Sequence, residues 1–424
     1  MSETNKKAWI VSVNMGYGHQ RTAYPLKSLA YGGEIIQAND YPGIPEKDRK
    51  MWKGARMFYE AVSRFKRVPL AGEFTFSLFD QFQKIFSFYP KRDSSKPNFQ
   101  LKQIFLLIKK GWGKDLIEKC KMRGGGLPFI STFFTPAFMA ESFDYPGDIF
   151  CVVCDADIAR TWAPLNPRES RIKYFAPNVR VVERLKLYGV KESNIFLTGY
   201  PLPSELTGGE DLGILKENLR TRLLNLDPKG RYCRYYQALI EEHLGEMPRE
   251  SGRPLTIMFA VGGAGAQKEI GVKIVKALAQ EIKNGRVRII LVAGSKRKIR
   301  EYFKEHTRGL DVEIVFGEKV EDYFQSFNLA LGKTDVLWTK PSELSFYSAL
   351  GLPIIVAPPI GSQEEFNKRW LLKSGFGLSQ ENSSHLRQWL FDWVEHGYLA
   401  EAAIQGFIEG EKLGTFKIKK ICLG

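Results

Sequence analysis

The chain has 424 residues, enough for about two or three domains that each bury a core of their own, which excludes a small disulfide-stapled scaffold. Lys and Arg number 62 against 47 Asp and Glu, a formal charge of +15, while 44% hydrophobic and 13% aromatic residues exclude a disordered chain. What remains is a folded basic protein whose positive excess needs a location and a partner.

The N-terminal stretch MSETNKKAWIVSV carries two lysines, but its apolar segment ends before Asn14 and offers no signal-peptide core. Other apolar runs fall short of the ~18 residues of a membrane span. The expectation is a cytoplasmic protein, peripheral at most on the inner membrane face. Five cysteines, Cys120, Cys151, Cys154, Cys233 and Cys422, form an odd, sparse set that points to a reducing compartment. Cys151 and Cys154 make a CxxC inside the apolar run 149–154, read as a buried strand with the thiols on opposite faces. A second CxxC or nearby His ligands are missing, so no metal is expected.

Apolar periodicity predicts a strand at 8–13, a helix from about His19, a short strand at 34–37, and strands at 128–133, 148–154, 172–175 and 195–197. Residues 205–254, rich in charge and turn residues around helical patterns, read as an interdomain connection. The scheme restarts with strands at 255–261, 287–292, 312–315, 335–338 and 353–356, with helices between. Runs apolar at consecutive positions mark parallel sheets covered on both faces, so the class is α/β with two doubly wound halves. The expected domains are 1–204 with an insertion at 51–125, then the connection, 255–395, and a helix with a basic tail at 396–424.

Both halves open with strand, glycines, helix. In the first, Asn14-Met15-Gly16-Tyr17-Gly18-His19 lets backbone approach a ligand closely, and the following helix offers free N–H groups. Arg21 stands where the dinucleotide fingerprint wants its third glycine, which argues against NAD. His19, on the first turn, feels the positive end of the helix dipole, which favours a neutral imidazole able to accept a proton; a packed or capping histidine is the competing reading. In the second half, Gly262-Gly263-Ala264-Gly265-Ala266-Gln267 lacks the Gly-Lys-Ser/Thr ending of a P-loop. A small-residue turn remains, able to hold a diphosphate against a helix N-terminus. Tight strand-to-helix packing explains it equally well. Polar residues then recur just after predicted strands: Gly294, Ser295 and Lys296; Thr339, Lys340 and Glu343; Gln363, Glu364 and Asn367. That is the sheet edge where α/β proteins bind ligands.

The ordered series GxGH, Asp155 with Thr161-Trp162, Tyr174-Phe175-Ala176-Pro177, Leu197-Thr198-Gly199-Tyr200-Pro201, the turn at 262, Gly294, Thr339-Lys340, Gly351-Leu352-Pro353 and Gln363-Glu364-x-x-Asn367 resembles the GT-B glycosyltransferases. The monogalactosyldiacylglycerol synthases and the peptidoglycan lipid-intermediate N-acetylglucosaminyltransferase are the nearest kinds. The resemblance covers most of the chain. It implies two Rossmann-like domains facing each other across a cleft, and inverting transfer from a nucleotide-diphosphate sugar, UDP-linked as a rule, with no metal and no cofactor. The donor half would use Gly262, Gly263, Gly265, Gln267, Gly294, Ser295, Lys296, Thr339, Lys340, Glu343, Gln363, Glu364 and Asn367. The acceptor half would use Gly16, Tyr17, Gly18 and Thr135, with His19 or Asp155 as the base. One departure stands out: the family's ribose-gripping glutamate falls at Phe346 here, with Glu343 as its nearest substitute. A nucleotide-sugar epimerase of the same fold and a non-catalytic binding protein are the alternatives.

The insertion 51–125 holds 16 Lys/Arg, 6 Asp/Glu and 14 aromatic residues, so ten of the fifteen excess charges lie in it. Two basic aromatic-rich helices broken at Pro69-Leu70-Ala71-Gly72 are expected. Rings among cations suit an anionic membrane surface, and a lipid-linked acceptor, better than nucleic acid, while a solvated basic face over packed rings is the plainer reading.

Overall fold

The computed structural model describes residues 7–65, 85, 88–89, 92–262, 265, 267–359 and 362–424, the side chains of 56, 58–65, 362 and 363 excepted. The described residues fall into two compact units. The first is Met1–Pro201 with Gly361–Gln363 and Leu413–Gly424, and the second is Leu202–Ile360 with Glu364–Lys412.

In the first unit, strands β1 (Trp9–Ser12), β2 (Ile36–Gln37), β3 (Phe129–Ser131), β4 (Ile149–Val152), β5 (Lys173–Ala176) and β6 (Ile195–Leu197) form one parallel sheet in the order β2-β1-β3-β4-β5-β6. Ile10 lies beside Ile130 and Ile130 beside Phe150, an apolar row across the sheet. The Phe150 and Phe175 rings stack at 5.0 Å, and Ile418 of the helix Gly414–Leu423 closes the same core. The winding starts from β1 to β2, then reverses, so the switch point lies between β1 and β3.

In the second unit, β7 (Leu255–Ala260), β8 (Val287–Gly294), β9 (Val312–Phe316), β10 (Val336–Thr339), β11 (Ile354–Val356) and β12 (Gly377–Ser379) form a parallel sheet in the order β12-β11-β10-β7-β8-β9. Every residue of β7 is buried, as a central parallel strand requires. Here the winding reverses between β7 and β10. Two successive doubly wound units of this kind are the composition of the GT-B fold, and the α/β class is that read from the sequence.

Three expectations need correction. Residues 205–254 are not a linker: they supply the helices Gly213–Leu226 and Gln237–Leu244 of the second unit. The first of these buries Leu215, Leu219, Leu223 and Leu226, at i, i+4, i+8 and i+11, a stripe that packs it into the second unit despite the surrounding charge. Its Arg222 is wholly buried and donates to the carbonyls of Thr334 (2.9 Å), Leu350 (2.8 Å) and Gly351 (2.9 Å), and burial pushes its guanidinium pKa down to about 10. The stretch 396–424 is also not one appendage, because the helix Tyr398–Glu409 lies in the second unit and Gly414–Leu423 in the first. The strand β12 was not anticipated, since in Gly377-Leu378-Ser379 a single leucine between glycine and serine makes no apolar run.

The insertion begins inside the helix Glu46–Phe65, and most of the expected second helix falls outside the described residues. Two further helices, Phe99–Lys109 and Lys114–Gly124, bury Leu101, Ile108, Leu116 and Ile117, while Trp112 meets Trp52 edge-on at 4.7 Å. These described parts of the insertion therefore contribute side chains to the core of the first unit. Among the described residues, no helix is long and apolar enough to cross a membrane.

Candidate functional site

At the first switch point, Gly16 adopts φ +115°, a left-handed conformation open to glycine, and the chain enters the helix Tyr17–Ala23 directly after it. The loop before it is fastened from the neighbouring strand end. Asn39 accepts from the Asn14 amide (2.8 Å) and donates back to the Asn14 carbonyl (3.3 Å). The Thr132 hydroxyl bonds Ser12 Oγ at 3.1 Å, tying the ends of β3 and β1. Gly18, on the first turn with His19, accepts from the Thr22 hydroxyl at 2.8 Å, and the Tyr200 hydroxyl lies 3.1 Å from the same oxygen.

His19 stands half-buried on this first turn, with Nδ1 2.8 Å from the Thr132 carbonyl. A carbonyl only accepts, so Nδ1 carries the hydrogen and the neutral ring keeps its lone pair on Nε2. Cys154 Sγ lies 3.3 Å from the same Nδ1. β4 ends at Val152, so the two cysteines of the CxxC do not share one strand as expected. Cys151 is strand core, and burial pushes its thiol up, whereas Cys154 sits past the strand end beside the imidazole.

The ring of His19 also meets Phe133 (4.7 Å) and Trp162 (6.5 Å), and Phe134 packs on Trp162 at 5.3 Å. Tyr174 donates to the Trp162 carbonyl at 2.9 Å and holds it in place. Thus the separate motif pieces at 18–19, 162, 174 and 200 converge on one end of the sheet. Asp155 follows Cys154 in the loop after β4 and is half-buried, and Thr135 is buried in the first turn of the helix Phe134–Ser142. Nothing in the residue types announced Thr132, because its carbonyl does the work. Cys154 could have been found from its place at the carboxyl end of a strand next to the switch point.

At the second switch point, the turn after β7 is closed by Gly265 donating to the Gly262 carbonyl at 2.7 Å, with Gly265 at φ +72°. A Cβ at Gly262 would overlap Lys340 Cε, so this glycine gives Lys340 its path across the strand ends. Thr339 donates to the Ala260 carbonyl at 3.1 Å, joining β10 to β7 just below. Lys340 Nζ then pairs with Glu364 Oε1 in the first turn of the helix Ser362–Lys373, the two side chains 23% and 15% exposed. Gln267 is left-handed at φ 66° and donates to the Pro358 carbonyl at 2.7 Å, so its amide anchors the turn to the loop after β11.

Further along the edge, Gly294 is left-handed at the end of β8, where the pairing with β9 shifts register. Ser295 and Lys296 follow, and Lys296, exposed, precedes the helix Arg297–His306. A Cβ at Gly265 would stand 2.8 Å from Ile299 Cδ1 and 3.9 Å from Lys296 Cδ, so this helix start lies against the glycine turn. Asn367 is buried. Gly263 and the side chain of Gln363 fall outside the described residues. The departure at 346 has a plain cause: Phe346 is buried, with its ring 5.0 Å from that of Trp370, and is core. Glu343, three residues earlier on the same 3-10 stretch Glu343–Leu350, is half-buried at its start. Among the described residues, no group of three or more His, Cys, Asp or Glu is placed to hold a metal ion.

A family model described as a domain of unknown function (DUF6938) matches residues 246–327. No curated protein matches the chain. Among solved structures, the chain is similar to MurG of Acinetobacter baumannii (12% identity, 99% of each chain covered, TM-score 0.48). It is also similar to the UDP-GlcNAc 2-epimerase of Neisseria meningitidis bound to UDP-GlcNAc (12% identity, 77% of this chain and 83% of that one, TM-score 0.47). A third is a glycosyltransferase of Rickettsia africae (13% identity, 99% and 98%, TM-score 0.41).

The geometry at His19 predicts a fixed tautomer. In 15N-labelled protein at neutral pH, the His19 resonances should report a protonated Nδ1 and a bare Nε2. A proton on Nε2 with Nδ1 bare would contradict the Thr132 contact.

Proposed function

We propose that the protein is a glycosyltransferase of the GT-B type, which moves a sugar from a UDP-linked donor held by the second unit to an acceptor hydroxyl held by the first, with inversion at the anomeric carbon. The observation that carries this reading is the meeting of Gly262, Lys340 and Glu364 at the second switch point, where a glycine turn, a cation and a carboxylate lie within reach of one diphosphate sugar. His19 supplies the complementary group, with the lone pair on Nε2.

In the proposed reaction, Nε2 takes the proton from the acceptor hydroxyl as its oxygen attacks the anomeric carbon. The bond from that carbon to the diphosphate oxygen breaks, the nucleoside diphosphate leaves, and His19 ends as imidazolium. General-base help of this kind is worth roughly 10²–10⁴-fold. Negative charge growing on the departing diphosphate is met by Lys340, by Lys296 and by the N-terminus of the helix Lys268–Ala277. Gly16, Tyr17, Gly18 and Thr135 border the acceptor, Asn367 approaches the sugar, and Glu343 is offered to the ribose in place of the glutamate that Phe346 displaces.

The acceptor is proposed to be lipid-linked, reached at an anionic membrane surface. Along the helix Phe99–Lys109, Phe99 (61% exposed) and Leu106 (49%) share an outer stripe with the exposed Lys102 and Lys109, at i, i+3, i+7 and i+10. Apolar side chains framed by lysines suit a lipid interface.

Calorimetric titration with UDP, GDP and TDP tests the donor half: UDP should bind, and no heat from any of the three would overturn the reading. His19→Ala should then abolish transfer, by about 10²-fold or more, while UDP binding persists; full activity in this variant would move the base to Asp155. For the membrane, vesicles containing phosphatidylserine should carry the protein upward in a flotation gradient at low salt and release it at high salt. Equal recovery with neutral vesicles would remove the electrostatic part of the proposal.

A further inference from the structure

The ion pair at the second switch point has a consequence for the ligand. Lys340 lies across the ends of β7 and β10, over residue 262, which has no side chain in its way, and its ammonium ends on the Glu364 carboxylate. That carboxylate stands in the first turn of the helix Ser362–Lys373, where the dipole favours an anion. Glu364 thus occupies, with the protein's own negative charge, a place where a ligand phosphate would also be stabilised.

Resting on the function proposed above, we infer that Glu364 is a displaceable internal counter-anion of Lys340, which weakens the hold on the bare nucleoside diphosphate and so speeds release of the product. A diphosphate entering beside Lys340 must share the ammonium with the carboxylate or push it aside. The repulsion is greatest for the product, because a terminal phosphate with a second pKa near ~6 carries about one more negative charge at neutral pH than the diester in a nucleotide sugar. With the donor bound, the displaced carboxylate can accept hydrogen bonds from sugar hydroxyls, an interaction the bare diphosphate cannot offer. The residue therefore favours donor over product, two ligands that share the same nucleoside.

The test is calorimetry with UDP, UDP-glucose and uridine on the wild-type protein, Glu364→Gln and Glu364→Ala. Glutamine keeps the shape and an acceptor for Lys340 and removes only the charge, and an unchanged melting curve certifies its fold. UDP should bind Glu364→Gln about tenfold more tightly than wild type, with a smaller gain for UDP-glucose and none for uridine. Glu364→Ala, which removes the carboxylate altogether, should tighten UDP in the same direction. UDP binding that is unchanged or weaker in both variants, with the wild type binding normally, would overturn the inference and leave the proposed function standing. No UDP binding by wild type or by either variant would overturn the proposed function, and the inference with it.

Discussion

A parallel sheet covered by helices on both faces buries nearly all of its strand atoms, and polar chemistry is confined to the carboxyl ends where the winding reverses. Both units obey that constraint. β7 is buried over its whole length, and its first polar opening is the turn at Gly262, beside the end of β10. β1 is likewise buried throughout, and the chain opens at Asn14 to Gly16, beside the end of β3. The same architectural solution places an imidazole at one switch point and an ammonium at the other.

How each group is held differs. His19 is oriented by a neutral backbone carbonyl, that of Thr132, which fixes the ring without stabilising its charged form as strongly as a carboxylate would. Lys340 is held by a formal charge on Glu364, which keeps a partly buried ammonium compensated. A buried cation without such a partner would carry a desolvation cost, whereas an exposed one would lose its direction.

The strand pattern was legible because consecutive apolar residues in short runs leave few alternatives to a parallel strand, and the switch-point motifs were legible as glycines and polar residues just past those runs. The segment holding the helix Gly213–Leu226 was legible as helical but not as part of the second unit, since the apolar stripe Leu215, Leu219, Leu223 and Leu226 is interleaved with lysine, arginine and asparagine. β12 failed because Leu378 alone, between Gly377 and Ser379, makes no apolar run. At the site, residue types pointed to His19 and Lys340, yet neither partner could be read. One is the backbone carbonyl of Thr132, which any residue would supply, and the other is Glu364, whose contact depends on a turn 24 residues away from Lys340 folding back to the strand end. Phe346 shows the converse. Its place in a motif suggested a missing ligand group, and its burial against Trp370 shows a core position instead.

Hydrogen–deuterium exchange with and without saturating UDP tests the central claim most directly, because it reports where the nucleotide is held. The account predicts slowed exchange in peptides spanning the turn after β7, the end of β10 with Lys340, and the start of the helix Ser362–Lys373, with β4 and β5 unchanged. Slowing that spares the β7 turn and Lys340 and appears elsewhere in the chain would contradict it.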